Sequence, residues 1–327
     1  MNKAVLVFIF FGLAGLLSCN VRTETLKPVV SGRAGEVMVV VSENLWDSSI
    51  GTTLKQILSA DQDDLPQAES IFDVIHVVPD QFSRIFNTHR NIIFVRVNPD
   101  FKDEKIAMQK DRWSTPQLVI DIQAKSRDNC LKMINDNSQT IVNRINQAER
   151  NRVLINYKRY QEVEVVNKLK GKYHISLIVP KGYSMDVDSS DFIWLANETP
   201  LTSQGILVYF YPYTGPIDFT VKNLIGMRDR FLKKYVSGPV KNTYMSTETM
   251  IPPQLKEYTM DNRYTAEMRG LWKLENGFMG GPFVSISTVD EKRNRIITVE
   301  GFVYAPHDKK RELLRQVESI VSTLKIE

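Results

Sequence analysis

The stretch Arg263-Tyr264-Thr265-Ala266-Glu267-Met268-Arg269-Gly270-Leu271-Trp272-Lys273-Leu274-Glu275 runs straight into Asn276-Gly277. Asn-Gly is the preferred pair for a two-residue hairpin turn, so the run reads as a strand that folds back on itself through Phe283–Val289. A second turn at Asp290–Asn294 leads into a third strand, Arg295–Tyr304. Hairpins and not crossovers join these strands, which makes their sheet antiparallel. Pro306 then suits the first turn of a closing helix, on which Leu313, Leu314, Val317, Ile320, Val321 and Leu324 form an apolar stripe.

Upstream of this meander, Tyr173–Val179, Phe192–Ala196 and Gly205–Tyr211 read as further strands, and Ile217–Tyr235 as a helix between Pro216 and Gly238-Pro239. Residues 171–327 are therefore predicted to form one α+β domain. Residues 35–170 read differently. Gly35–Val41, Phe72–Val78, Asn91–Val97 and Gln117–Ile122 are short apolar strands, with a helix over Thr52–Ala60. From Lys125 to about Leu169, the residues Leu131, Ile134, Ser138, Ile141, Ile145 and Ala148 recur at three- and four-residue steps, as on one long amphipathic helix. Its other face carries Arg144, Arg150, Arg152, Lys158 and Arg159; membrane docking and a solvated outer face are both open to it. The expected fold class is α+β (mixed α/β), with two sandwich-like domains meeting near residue 170.

The amino terminus carries an address. Met1-Asn2-Lys3 is followed by fourteen uncharged residues, Ala4–Leu17. A membrane-spanning helix needs about twenty, so the run matches the hydrophobic part of a cleaved signal peptide over residues 1–18. Leu16-Leu17-Ser18-Cys19 resembles the lipobox of bacterial lipoproteins, which implies lipidation of the Cys19 thiol and a lipidated tether over residues 19–34. Acyl chains on one residue anchor firmly, since each buried methylene contributes about 0.8 kcal/mol.

The remaining 309 of 327 residues, 43% hydrophobic and 24% charged over the whole chain, are ordinary for globular domains. A whole-chain charge of +4, Lys3 included, is too small to argue for nucleic acid. Cys130 has no second cysteine in the mature chain to pair with and reads as a buried structural thiol. Gly32-x-x-Gly35 precedes a strand instead of following one, so it reads as a turn and not as a phosphate loop. His76, His89, His174 and His307 show no metal-ligand spacing, and no cofactor motif is present.

Two constellations stand out as places for function. Alternation along Gly205–Tyr213 puts Tyr209, Tyr211 and Tyr213 on one face, with Trp194 as a candidate fourth member. Such a platform would stack on sugar rings or a partner protein, or lie beneath the helix 217–235. Glu267 and Arg269 also share a face, and Glu300 lies mid-strand. These residues form either a cross-strand ion-pair ladder or a carboxylate pair able to hydrolyse a glycosidic bond.

The lipobox, Gly32-Arg33-Ala34-Gly35-Glu36-Val37, His89-Arg90-Asn91-Ile92-Ile93, Trp113-Ser114-Thr115-Pro116-Gln117 and Gly280-Gly281-Pro282-Phe283 together resemble an uncharacterised family of Bacteroidetes lipoproteins, a domain-of-unknown-function family. The resemblance carries no activity and no site. No acidic run follows Cys19, as it does in surface-exported members of that phylum, so the implied position is the outer membrane facing the periplasm. Val179-Pro180-Lys181-Gly182-Tyr183 and the terminal strand and helix loosely resemble the antiparallel-sheet domains of the PsbP and Mog1 type. The expectation is a non-catalytic cell-envelope lipoprotein, membrane-bound through Cys19, that binds an envelope protein or glycan through its second domain. An envelope hydrolase is the alternative.

Overall fold

The computed structural model describes residues 26–327. The signal peptide, Cys19 and the first part of the expected tether, to residue 25, lie outside the described residues. The chain forms two mixed units, each built on its own sheet, and the fold class is α+β as expected.

The first unit runs β1 (Glu36–Val40), α1 (Glu43–Trp46), α2 (Ser49–Leu58), β2 (Asp73–Val77), β3 (Asn91–Val97), β4 (Lys105–Lys110), β5 (Leu118–Ala124), α3 (Arg127–Asp136) and α4 (Ser138–Arg159). Its sheet has the order β2-β1-β3-β5-β4, parallel except for the edge strand β4. Strands β1, β3 and β5 read as near-continuous apolar runs because both of their faces are covered. Residues from α2, α3 and α4 pack on one face, and Phe82, Phe86, Phe94 and Trp113 pack on the other. Cys130 is buried in this core with no disulfide partner among the described residues, and burial pushes its thiol up to about 11. Strand β4, mostly exposed, is absent from the sequence reading because its apolar face amounts to Ile106 and Met108, too short an alternation to read.

The long helix expected from Lys125 to Leu169 is broken. Asn137 leaves the helical region at φ −112°, and its side-chain amide donates to the Met133 carbonyl at 2.8 Å. A side chain that captures backbone acceptors in this way ends α3 and starts α4. The basic face is not uniform either. Arg152 turns inward and donates to Glu149, Asn91 and the carbonyls of Arg90 and Pro116. Glu149, with almost no solvent exposure, also accepts from Arg90 at 2.7 Å. This polar knot fastens α4 to the amino ends of β3 and β5. Val29 and Ser31 bridge to Thr115 and His89 beside it, after which Gly32 and Gly35 turn the chain into β1 at φ +93° and +77°.

The second unit runs α5 (Val163–Lys168), β6 (Ile175–Ser176), β7 (Ser184–Asp188), β8 (Phe192–Glu198), β9 (Ser203–Pro212), α6 (Val221–Tyr235), β10 (Tyr244–Thr247), β11 (Gln254–Met260), β12 (Arg263–Glu275), β13 (Gly280–Asp290), β14 (Arg295–Tyr304), α7 (Arg311–Val321) and β15 (Lys325–Ile326). Eight strands make one antiparallel sheet, with β12-β13-β14 as the meander and β9-β8-β7 continuing it. Helix α7 packs on one face, over Val284, Ile286, Val299 and Val208. Helix α6 packs on the other, over Tyr209, Met268, Phe283 and Phe302.

Three local expectations need correction. Lys273 pairs with Gly280, and Leu274 N–H donates to the Met279 carbonyl, so the hairpin loop has four residues. Asn276 still supplies the left-handed residue, at φ +57°. The strand placed over Tyr173–Val179 reduces to β6, paired with β15, and His174 lies before it in a left-handed conformation that ends the preceding turn. The helix placed over Ile217–Tyr235 is split by extended Thr220 into a 3-10 turn and α6.

Candidate functional site

The sheet of the second unit sorts the candidate residues by parity. Glu267 is paired with Ile286 and through it with Val299, on the face covered by α7. Glu300 is paired with Ser285 and through it with Met268, on the face covered by α6. The two carboxylates therefore point to opposite sides of the sheet. They cannot flank one glycosidic bond, and the carboxylate pair is withdrawn.

Glu300 is fully buried and forms a two-point pair with Arg228 of α6. Arg228 Nε and Nη2 donate to its two oxygens at 2.9 and 2.7 Å, and Nη1 donates to Thr247 Oγ1 at 2.8 Å. The Phe283 ring lies 3.8 Å from the guanidinium. Arg228 was not singled out from the sequence, where Met227-Arg228-Asp229-Arg230 reads as a solvated run. The signal that could have found it is the neighbouring apolar stripe, Leu224, Phe231 and Leu232, which shares its side of the helix.

The aromatic platform divides. Tyr209 and Tyr211 are buried beneath α6, with the Phe231 ring 5.0 and 6.3 Å away, so neither can stack on a ligand. Tyr213, half-buried, sits beside Phe219. Trp194 lines an apolar cavity of about 520 Å³.

Glu267 and Arg269 do lie together and open onto a second, larger cleft. Arg269 donates to Glu267 at 2.6 Å and also pairs with Glu318 on α7. Burial works to raise the Glu318 carboxyl, but the guanidiniums of Arg269 and Arg150 outweigh it and hold the group below the usual carboxylate range. Arg150 of α4 reaches Glu318 from the first unit at 2.9 Å. Glu318 was missed because a lone Glu on an amphipathic helix reads as solvent-facing.

Helix α7 thus holds the two units together. Glu69 of the first unit accepts from the backbone N–H groups of Lys310 and Arg311 at 2.7 and 3.1 Å, a carboxylate placed at the helix amino terminus. Arg311 donates to the Ser70 carbonyl and to Asp73, each at 2.7 Å. Beside this seam the cleft opens, with a volume of about 740 Å³.

One wall of the cleft is a stripe of α4: Gln139, Asn143, Asn146, Gln147 and Arg150. Their spacing of four, three, one and three residues places them on one helix face, beside the apolar stripe of Ile141 and Ile145 that faces the core. The opposite wall is β11, with Gln254, Lys256 and Tyr258, where Tyr258 Oη donates to Glu267 at 3.2 Å. Loop residues Asp63 and Asp64 close one side. Five cationic side chains and four carboxylates line the whole, so its charge is nearly balanced and it is no dedicated polyanion site. A carboxamide offers donors and an acceptor together, the pattern that a hydroxyl or an amide presents in return. Among the described residues no group of three or more His, Cys, Asp or Glu is arranged to hold a metal ion, and no helix is long and apolar enough to cross a membrane.

Fold and clefts define a two-unit α+β chain with a polar groove between its halves. Residues 30–158 match one domain of unknown function (DUF8532), and residues 162–323 match another (DUF4837). The two matches take in most of the chain and meet between Lys158 and Glu162, so the chain-long resemblance resolves into two domain families. No protein of curated function matches the chain.

Proposed function

We propose that this protein is a lipid-anchored envelope protein of the Bacteroidetes type, held to the outer membrane through Cys19 and facing the periplasm. In this reading it is a non-catalytic binding module, and its ligand is a hydroxyl-rich saccharide seated in the cleft between the units. The carboxamide stripe of α4 carries the proposal. Four neutral side chains on one helix face, opposite Gln254 and the half-buried Tyr258, offer paired donors and acceptors with an aromatic surface. Arg269 and Glu267 supply charged partners at the floor.

The test is calorimetric titration of the full chain with oligosaccharides released from the cell envelope. Asn143→Leu with Gln147→Leu removes exposed carboxamides and is expected to weaken binding at least tenfold while the thermal midpoint holds. Equal affinity in the double variant and the parent would refute the assignment.

A further inference from the structure

The apolar cavity at the far end of the second unit lies outside that cleft. Its walls come from β8, β12 and β14, through Trp194, Trp272, Phe302 and Tyr304, and from Met245 and Met279. Two glycines let the rings lie flat on the sheet. A Cβ at Gly205 would fall 2.0 Å from the Phe302 ring, and one at Gly281 would strike the Val303 carbonyl at 2.0 Å. The Trp272 indole is satisfied, donating to that same carbonyl at 3.1 Å. The Trp194 indole N–H is buried and has no acceptor among the described residues. An unmet buried donor is costly and calls for a partner.

The mouth is as informative as the walls. Thr199, Pro200 and Leu201 line it from one loop and Gly238 and Pro239 from another, and Leu201 is exposed at 66%. His307, also exposed, lines the cavity from the loop after the last strand of the meander. An apolar side chain held in water at an apolar opening suits a ligand that arrives from an apolar phase, and an imidazole N–H beside it suits an oxygen-bearing head. The volume falls within the range of small-ligand pockets and is too small for a folded partner. Methionine walls adapt to a flexible occupant.

We infer that this cavity takes one acyl chain, with the chain along Trp272 and Phe302 and its oxygen-bearing head toward the Trp194 indole N–H and His307. A free fatty acid and a membrane phospholipid share that chemistry, and the experiment separates them. The full chain is titrated with 11-(dansylamino)undecanoate, and then dodecanoate or vesicles of phosphatidylethanolamine and phosphatidylglycerol compete for the site. Ser203→Leu projects into the cavity from the sheet and is expected to weaken probe binding at least tenfold. Thr202→Phe at the mouth serves if that variant fails to fold. Competition by dodecanoate alone assigns the free acid, and competition by vesicles that is lost in Leu201→Ser assigns the phospholipid. A parent chain that takes up no probe, or a correctly folded filled variant that binds it equally well, overturns the inference. Saccharide titration of Ser203→Leu stays unchanged if the two sites are independent, so failure here is distinguishable from failure at the cleft.

Discussion

Each face of the larger sheet carries an arginine–glutamate pairing, and the two are built for different ends. On the α6 face, Arg228 and Glu300 have no solvent exposure and every bond between them is internal. On the α7 face, Arg269, Glu267 and Glu318 keep about a fifth of their side-chain surface open to the cleft. A sealed pair has no water to fall back on when one partner is lost, whereas an open pair does. The same two residue types therefore hold a core together on one side and remain available to a ligand on the other.

The largest effect is expected from the sealed side. Glu300→Leu strands the Arg228 guanidinium in an apolar layer and should cost about 3–5 kcal/mol in urea denaturation. Adding Arg228→Met should restore most of it, because a matched apolar pair leaves no charge unmet. A single-variant cost below about 1 kcal/mol would end the contrast between the faces.

A smaller effect is expected from acid at the α7 seam. The hydrogen bond from Arg311 holds the Asp73 carboxyl below its usual range, and Glu318 is lowered as well. A carboxyl lowered in the folded state stabilises above its unfolded value, about 4, and that contribution is lost as pH falls through the lower folded value. Both groups join α7 to the first unit, directly or through Arg150. Below about pH 4 the units should loosen, seen as a rising radius of gyration in small-angle scattering. Asp73→Asn with Glu318→Gln should flatten that pH response. An unchanged response in the double variant would mean that other groups hold the seam.

The smallest effect on stability belongs to the open pair. Glu267→Gln should shift unfolding by less than about 1 kcal/mol, since water replaces the lost charge. Its consequence should appear in saccharide affinity instead. A shift comparable with that of Glu300→Leu would show that the cleft face is as dependent on its ion pair as the core is.

Much of the fold was legible because period-two patterning and turn residues act locally. The meander and its order follow from Arg263 to Tyr304 with the hairpin loop misjudged; the closing helix was legible too, but it starts at Arg311 and not at Pro306, and ends before Leu324. Local competition was harder to read. Asn137 breaks a helix because its amide captures the Met133 carbonyl, and nothing in the apolar spacing of Ile134 and Ile141 announces that. The site was legible in part. Glu267 and Arg269 share a face as alternation requires, and Trp194 does line a cavity. Tyr209 and Tyr211 were equally alternating and are lost to the core, because α6 covers that face.

The sequence by itself determined the longer elements, the antiparallel course of the meander and which neighbours along one strand share a side. Those properties are set by backbone geometry over a few residues. Only the tertiary structure decided that Glu267 and Glu300 lie on opposite faces, since that depends on register across β12, β13 and β14. It also decided that Glu69, Arg150 and Asp73 converge on α7, and that a polar stripe of α4 faces β11 across a cleft. Such contacts join residues about a hundred or more positions apart. They are set by how two cores dock, a long-range outcome that no local pattern encodes.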